Sequence, residues 1–257
     1  MECKKLSVGY DRKAVLENVN FSPVQGAFTV IVGPNGCGKS TLLKAIMGEA
    51  KVFEGSLTLD GRSIKEWGTG LAQKIAYLPQ NRSEVNLPVG RMVLHGRFPY
   101  MGYPRRYTKE DETRVTKALA LMGISHLRDC PVSALSGGEK QKAYLAMALV
   151  QDAEYFLLDE PTTYLDMAAQ LELLELLKTL TARGKTVIAV LHDLNHALRY
   201  GDYLLAIPKN KQMPIMYAAS QELLNLEYLE QIFGLRIHML FDEYGDEHFA
   251  FTALEHN

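Results

Sequence analysis

The residues best suited to chemistry are those of the run Gly33–Thr41, which reads GPNGCGKST. They match the G-x-x-x-x-G-K-[ST] phosphate-binding pattern at every fixed position. Glycines let such a loop turn tightly and expose its backbone N–H groups, which converge on an anion together with the positive end of the following helix. Lys39 is then placed to reach the outer phosphates of a nucleoside triphosphate, and the Ser40 hydroxyl to ligate Mg²⁺.

The sequence on both sides of this loop supports the same interpretation. Before it, Phe28–Val32 is an apolar, β-branched run that predicts a buried strand. After it, apolar residues recur at helical spacing as far as Gly48, where the helix is expected to end. An ordinary glycine-rich turn is disfavoured because strand, loop, lysine and helix are all in place. The residues expected to hold the triphosphate are Gly33, Pro34, Asn35, Gly36, Cys37, Gly38, Lys39, Ser40 and Thr41.

Two acids close another predicted strand. Tyr155–Asp159 is apolar up to its last residue, and Glu160 follows. Open α/β sheets bind their ligands at the carboxyl edge, so both acids are expected beside the phosphate loop. Asp159 suits Mg²⁺, and Glu160 could polarise the water that attacks the γ-phosphate. The alternative is a pair of solvated acids, which the phosphate loop disfavours.

The segment Leu135–Glu139, LSGGE, suggests a second anion site. Ser136 and Glu139 alone would form an S-x-x-E capping box before a helix. Gly137 and Gly138 are poor helix formers, however, and they expose backbone N–H groups at a helix N-terminus. The chain therefore carries two helix starts suited to phosphate, and one triphosphate does not need both within one chain.

Composition excludes several classes of protein. The chain has 257 residues, 47% of them hydrophobic and 23% charged, as in a soluble globular protein. A net charge of −2 argues against nucleic acid as the main partner. Three scattered cysteines form no disulfide framework or zinc ribbon, which favours a reducing compartment. We expect no signal peptide and no membrane-spanning segment, so that any membrane role comes through a partner.

The order of patterns predicts an α/β fold with a mostly parallel sheet and flanking helices. Alternating residues before the phosphate loop predict antiparallel strands, and Lys74–Leu78 predicts another strand. Between about 80 and 135 strand signals vanish, and a helix is expected behind the N-cap Thr108. We predict a core formed by about 1–79 and 136–219, a helical lobe inserted at 80–135, and an extension of the core at 220–257.

The later part of the chain predicts further elements. A long amphipathic helix should follow the acids and end near Gly184, and Thr186–Leu191 should form a buried strand. The tail predicts one leucine-rich helix after Ser220 and short strands near 237–241 and 248–252. His238, Asp242, Asp246 and His248 could suggest a metal site, but Tyr244–Asp246 reads as a hairpin turn and the pattern lacks ligand spacing.

At four stretches the sequence resembles the ATPase subunit of ABC transporters. They are GPNGCGKST at 33–41, LSGGE at 135–139, FLLDEPTTYLD at 156–166, and His192 within VLHDLN. Their order and spacing match across nearly the whole chain, and LSGGE is diagnostic of this family among phosphate-loop proteins. The resemblance implies a head-to-tail dimer with two ATP molecules between the subunits. Each ATP touches the phosphate loop of one copy and Ser136–Glu139 of the other.

The resemblance also implies roles for single residues. Tyr10 corresponds to the aromatic residue that stacks on adenine, and Gln80 to the glutamine that reaches Mg²⁺ and senses the membrane partner. Asp166 lies in the loop expected to cross the dimer interface. His192 corresponds to the histidine that contacts the γ-phosphate and holds Glu160 and the water. Alternatively, Tyr10 is an ordinary tyrosine of a strand, Gln80 is a polar residue of a loop, and His192 is a structural histidine.

Some residues depart from the family pattern. Cys37 replaces a more usual serine, and its thiol is expected to be open to alkylation that ATP blocks. Thr163–Tyr164 stands where serine and a smaller residue are common, and Lys142 and Met147 stand where arginine is frequent. These changes leave Mg-ATP chemistry intact but weaken the correspondence along the helix after LSGGE.

A finer resemblance concerns the cargo. GRFPYMG at 96–102, the acidic helix start at 110–112, and HDLNHA at 192–197 with Arg199-Tyr200 are similar to the branch that imports iron-siderophores, haem and vitamin B12. This implies a peripheral subunit on the cytoplasmic face of the cell membrane, a polytopic permease and an extracytoplasmic binding protein. Alternatives are importers of other substrates and ABC ATPases acting on DNA or ribosomes. Small-molecule kinases, GTPases and structural nucleotide modules are less compatible with LSGGE and Glu160.

Overall fold

The computed structural model describes residues 1–80, 86–224, 227–241 and 247–253. Its strands, in chain order, are β1 (Glu2–Tyr10), β2 (Lys13–Phe21), β3 (Phe28–Val32), β4 (Lys51–Leu59), β5 (Arg62–Ser63), β6 (Ile75–Leu78), β7 (Tyr155–Asp159), β8 (Thr186–Val190), β9 (Tyr203–Ala206), β10 (Met216–Ala219), β11 (Leu235–Phe241) and β12 (Glu247–Ala253).

The α-helices, in chain order, are α1 (Lys39–Ile46), α2 (Leu71–Lys74), α3 (Val89–Leu94), α4 (Lys109–Leu121), α5 (Gly137–Gln151), α6 (Met167–Ala182), α7 (Leu194–Tyr200), α8 (Ser220–Leu224) and α9 (Tyr228–Phe233). Short 3₁₀ helices lie at Ile64–Glu66, Gly68–Gly70, His95–Tyr100, Ser125–Leu127 and Val132–Ala134.

The chain forms two compact units. The first contains Met1–Glu66 and Ile188–Asn257, and the second contains Trp67–Val187. The sequence-based division into core, lobe and extension uses different boundaries and stays a prediction. Both units mix helices and strands, so the predicted α/β fold class is confirmed.

In the first unit, an antiparallel sheet has the strand order β2-β1-β4-β5. This confirms the antiparallel strands expected before the phosphate loop. The wholly buried strand β3 runs parallel to β9, with Thr29 opposite Tyr203 and Val32 opposite Ala206. Strand β10 then pairs antiparallel with β9. The sequence analysis assigned neither β9 nor β10, which have four residues each.

The tail of the first unit differs from expectation at one point. Two helices, α8 and α9, replace the single leucine-rich helix, and Glu227 at the start of α9 has a left-handed φ of 52°. A non-glycine residue in this conformation cannot continue a helix. Strands β11 and β12 form an antiparallel hairpin, as predicted. Its connecting residues, including Asp242, Tyr244 and Asp246, lie outside the described residues.

In the second unit, β6 and β7 pair in parallel, with Ile75 opposite Tyr155 and Leu78 opposite Leu158. Helix α5 packs against α3 and α4. The predicted N-cap of α4 is confirmed, because Thr108 accepts a hydrogen bond from the Asp111 backbone N–H while the Asp111 side chain accepts one from the Thr108 N–H. Between Gln80 and Ala134 every named element of the described residues is a helix, and irregular segments such as 101–108 join them. Within the described parts of the chain, no helix combines the length and the apolar character that spanning a membrane requires.

Candidate nucleotide and catalytic site

The phosphate loop of the first unit has a backbone that requires glycine at two positions. Gly33 has a φ of +151°, and a Cβ atom there would lie 2.2 Å from the carbonyl oxygen of Ile207. Gly38 has a φ of +110° and forms the N-cap of α1. A Cβ on Gly38 would lie 2.8 Å from the Leu16 side chain. The loop is therefore held tightly between β2 and the end of β9.

Lys39 is folded against this loop. Its ammonium group donates hydrogen bonds to the carbonyl oxygens of Gly33 at 2.7 Å and Pro34 at 3.1 Å. Only 6% of the residue is exposed. A buried ammonium needs such acceptors, because a lone charge is costly to remove from water. The same ammonium, held inside the loop, is positioned to pair with phosphate oxygens. Ser40 and Thr41 follow at the first turn of α1.

The structure corrects the expectation for Cys37. Its thiol is 6% exposed, and its sulfur lies 2.9 Å from the position that a Cβ on Gly33 would take. Burial raises the pKa of this thiol, and the nearby Lys39 charge only partly opposes that rise. Thiolate is the reactive form of cysteine. The packing of Cys37 in the loop therefore predicts slow alkylation.

Tyr10 lies at the end of the hairpin that supports the loop. It pairs with Lys13 across the turn between β1 and β2, and 40% of it is exposed. Strand β2 brings this hairpin to the phosphate loop, since Val15 and Leu16 are the residues that a side chain at Gly38 would meet. An exposed aromatic ring on an element that touches the loop is available for stacking on a base.

His192 lies at the same sheet edge as the loop. Leu191 donates a backbone hydrogen bond of 3.4 Å to Ile31, two residues before Gly33. His192 follows and is exposed, and Asp193 next to it caps α7 by accepting hydrogen bonds from the N–H groups of Asn195 and His196. The strand end and the cap together fix the backbone from which the imidazole extends.

The second unit brings together Gln80 and Glu160. The Gln80 amide donates a hydrogen bond of 2.5 Å to Oε2 of Glu160. This contact follows from strand register, since Leu78 lies opposite Leu158 and both residues come two positions later. Glu160 has a φ of +53°, a left-handed conformation that costs a residue with a side chain about 1–3 kcal/mol. Asp159, immediately before it, is 1% exposed.

Two further residues, Thr163 and Gln141, support Glu160 and the turn that follows it, and the sequence analysis assigned a role to neither. The Thr163 hydroxyl lies 3.5 Å from the same Oε2 of Glu160. The amide of Gln141, a buried residue of α5, donates a hydrogen bond to the carbonyl oxygen of Pro161. Helix α5 is thereby tied to the turn that follows Glu160. A glutamine on a predicted helix carries no signal of such a contact.

The LSGGE segment begins α5 with both features that its sequence suggests. Ser136 and Glu139 form a complete capping box, and the hydrogen bond from Ser136 lowers the pKa of the Glu139 carboxyl. Ser136 and Gly137 are exposed. A Cβ on Gly137 would lie 3.3 Å from the side chain of Tyr164. The glycine start of α5 thus packs beside the loop that follows Glu160 and remains open to solvent at Gly137.

The remaining predicted positions have clear structural settings. Asp166 is exposed and caps α6 by accepting a hydrogen bond of 2.9 Å from the Ala169 N–H. Lys142 pairs with Glu172 at 3.7 Å. His238 lies 3.0 Å from the hydroxyl of Thr252 across the C-terminal hairpin. The described residues contain no group of three or more histidine, cysteine or acidic side chains that could hold a metal ion by themselves.

Taken by unit, these groups can perform two parts of one reaction. The first unit offers a glycine-bounded loop, a buried lysine, a helix N-terminus and an exposed tyrosine, which suit a nucleoside triphosphate. The second offers a carboxylate oriented by an amide and a second exposed helix start. A positioned carboxylate beside a water can act as a general base in phosphoryl transfer.

Comparison with known proteins agrees with this chemistry. Residues 16–163 match the family described as ABC transporter. The chain is 42% identical over 243 residues to the ferric enterobactin transport ATP-binding protein FepC of Escherichia coli K12, covering 93% of this chain and 89% of the relative. It is 38% identical to the iron(3+)-hydroxamate import ATP-binding protein FhuC of Bacillus subtilis 168, covering 94% and 90%.

Solved structures are similar over the same length. A chain assigned to the metal-chelate type of ABC transporter, in an inward-facing conformation, has a TM-score of 0.84 at 25% identity and covers 99% of this chain and 97% of that one. An ATP-binding cassette in a dimeric post-hydrolysis state, bound to ADP and phosphate, has a TM-score of 0.75 at 27% identity and covers 85% and 98%.

Proposed function

This chain belongs to the ABC transporter family and is an ATP-binding ATPase, and on that premise we propose that it powers a membrane importer for an iron-siderophore, haem or a corrinoid. The observation that carries the proposal is the pair of helix starts suited to phosphate. One is the loop Gly33–Thr41 at α1, and the other is Ser136–Gly138 at α5, of which Ser136 and Gly137 are exposed. Two copies placed head to tail use both.

ATP binding closes such a dimer because each nucleotide bridges two subunits. The loop N–H groups and Lys39 hold the β- and γ-phosphates, and Tyr10 stacks on the adenine. Gly137 and Gly138 of the other copy supply N–H groups to the γ-phosphate, and Ser136 contacts it as the N-cap residue of α5. The Glu139 carboxylate completes the capping box with Ser136 and does not itself contact the nucleotide. Asp166 lies in the loop that faces the partner copy.

Mg²⁺ fits the oxygen donors present in the chain. The Ser40 hydroxyl, the buried carboxylate of Asp159 and the side-chain carbonyl of Gln80 are hard ligands of the kind this ion prefers. When bound, Mg²⁺ neutralises charge on the transferred phosphoryl group. Asp159 is a buried carboxylate with 1% exposure, and a bound cation would offset the cost of keeping its charge away from water.

Hydrolysis depends on Glu160 and His192. Glu160 takes the proton of the attacking water as its general base, which contributes typically 10²- to 10⁴-fold to such reactions. His192 contacts the γ-phosphate and holds the attacking water and Glu160 in position. Gln80 joins this site to the helical part of the second unit, through which movement passes to a polytopic permease. Loss of the γ-phosphate reopens the dimer.

The cargo class is supported by the named relatives, which are ATP-binding proteins of ferric enterobactin transport and iron(3+)-hydroxamate import. The decisive experiment reconstitutes the chain in vesicles with a candidate permease that copurifies with it, and then adds a candidate extracytoplasmic binding protein. Ferric siderophores, haem and corrinoids are then compared for stimulation of ATP hydrolysis. We expect stimulation by one of these chelates, whereas stimulation by DNA or ribosomes without permease association would contradict the proposal.

A further inference from the structure

The second unit carries an exposed segment that the ATPase chemistry does not use. It comprises residues 98–106, here named the aromatic–arginine tip. Phe98 and Tyr100 are 46% and 40% exposed, and Tyr103 is 100% exposed. Arg105 and Arg106 are exposed as well. Large rings and guanidinium groups in this segment are therefore partly or wholly open to solvent.

The start of the tip is anchored firmly. Arg97, just before it, donates hydrogen bonds to Asp111 at 2.8 Å and to the Val150 carbonyl at 3.1 Å. The Gln73 amide donates to the Pro99 carbonyl at 2.7 Å, and the Tyr100 hydroxyl donates to the Gln73 carbonyl at 3.3 Å. The exposed residues therefore extend from a fixed base.

The tip is locally basic in a chain whose net charge is −2. No aspartate or glutamate occurs between Leu94 and Lys109. The acids that follow are paired elsewhere: Glu110 with Arg114, Asp111 with Arg97, and Glu112 with Arg128. Across the residues that the structure describes, neither Arg105 nor Arg106 has a carboxylate within ion-pair distance. Two positive charges are thus left to an external anion.

Rings and guanidinium groups are combined within the tip. The Arg105 guanidinium lies 4.5 Å from the centre of the Phe98 ring, and that of Arg97 lies 4.0 Å from the Tyr100 ring. Stacking on Phe98 orients the Arg105 guanidinium group while leaving its N–H donors available for phosphate. Tyrosine and arginine are also the side chains that favour the headgroup layer of a membrane.

We propose that the aromatic–arginine tip binds the anionic phospholipid headgroups of a membrane surface. Tyr103 is fully exposed and does not lie in a pocket, whereas the aromatic anchors of protein interfaces occupy packed pockets. A fluid headgroup layer can enclose a projecting side chain without a matching shape. The contact needs neither nucleotide nor permease, so it goes beyond the ATPase function.

The test measures co-sedimentation of the full-length chain with lipid vesicles. Vesicles of phosphatidylcholine mixed with phosphatidylglycerol are compared with vesicles of phosphatidylcholine alone. We expect binding only to the anionic vesicles, weakening as salt rises above the range where the Debye length is about 10 Å. Each arginine near an anionic surface should contribute roughly fivefold, so R105A/R106A should bind roughly 25-fold more weakly.

Matched variants distinguish binding through the tip from a non-specific effect of the chain's positive charge. K65A/R183A also removes two exposed cations, from other elements, and should bind like the wild type. Y103A should weaken binding severalfold without changing the salt dependence. Basal ATP hydrolysis should be unchanged in R105A/R106A, which shows that it is folded.

The proposal is overturned if R105A/R106A binds anionic vesicles as well as the wild type, or if K65A/R183A loses as much. Equal binding to both kinds of vesicle would also overturn it. So would an R105A/R106A variant that binds vesicles normally but no longer copurifies with the permease, because the tip would then contact protein rather than lipid.

Discussion

The side-chain amide of Gln80 donates a 2.5 Å hydrogen bond to the carboxylate of Glu160. The pairing of β6 with β7 places the two residues side by side. Leu78 lies opposite Leu158, Gln80 comes two residues after Leu78, and Glu160 comes two residues after Leu158. The proposed general base is therefore in direct contact with the residue proposed to respond to the membrane partner. A movement of Gln80 changes the surroundings of Glu160 without any intermediate.

Replacing Glu160 by glutamine should abolish hydrolysis and preserve ATP binding. The amide keeps the shape of the side chain but cannot accept the proton of water, so the rate should fall by about 10²- to 10⁴-fold. Sedimentation should then show an ATP-dependent dimer. The control E175Q changes an exposed acid of α6 and should hydrolyse normally. Near-normal hydrolysis by E160Q would refute the catalytic role of Glu160.

Replacing Gln80 by glutamate should shift the pH dependence of hydrolysis upward. Two carboxylates at hydrogen-bonding distance cannot both ionise easily, so the pKa of one rises. Glu160 must be deprotonated to act as a base, and activity should therefore appear only at higher pH than in the wild type. Q80A removes the contact without adding a charge and serves as the control. Identical pH–rate profiles for Q80E and Q80A would contradict the contact.

Two capping boxes in this chain allow a matched test of Ser136. S136A and T108A each remove a side-chain N-cap, which typically costs about 1 kcal/mol of stability, so both should lower the melting temperature to a similar degree. Only S136A should also impair the ATP-dependent dimer, measured by sedimentation with Glu160→Gln present. If the two variants dimerise equally, Ser136 only caps α5 and does not contribute to the dimer.

Cys37 should react slowly with thiol reagents in the native protein. Burial raises its pKa, so little thiolate is present near neutral pH and labelling should accelerate only as the solution becomes more alkaline. Cys130 is partly exposed and should be alkylated first. Cys3 is buried, with its pKa raised to about 12, and should stay unmodified. Mass spectrometry of iodoacetamide-treated protein gives the order, and fast labelling of Cys37 at neutral pH would contradict its packing in the loop.

The elements that sequence predicted best are those with strong local signals. Phe28–Val32, the glycine pattern after it and the helix ending near Gly48 each have their own propensities, and all three occur as expected. The N-cap Thr108 likewise depends only on its near neighbours. Strands β9 and β10 escaped prediction because YLLA and MYAA are short, mostly apolar runs with no alternation that would distinguish a strand from a buried helical segment.

Contacts between distant residues could not be predicted from local pattern. The Gln80–Glu160 hydrogen bond depends on the register of two strands that lie far apart in sequence. The burial of Cys37 depends on space left by Gly33, which no spacing rule reveals. The same limit applies to Gln141, whose amide supports the turn after Glu160 from another helix.

The central claim is that each ATP site is built from two copies of the chain, and subunit mixing tests it most directly. K39A lacks a working phosphate loop, and S136R blocks the second helix start, so each variant alone should be inactive. In a mixed dimer, the intact loop of S136R faces the intact Ser136–Gly138 of K39A. We predict that the mixture hydrolyses ATP although neither component does. A mixture as inactive as its components, beside an active wild type, would contradict a shared site.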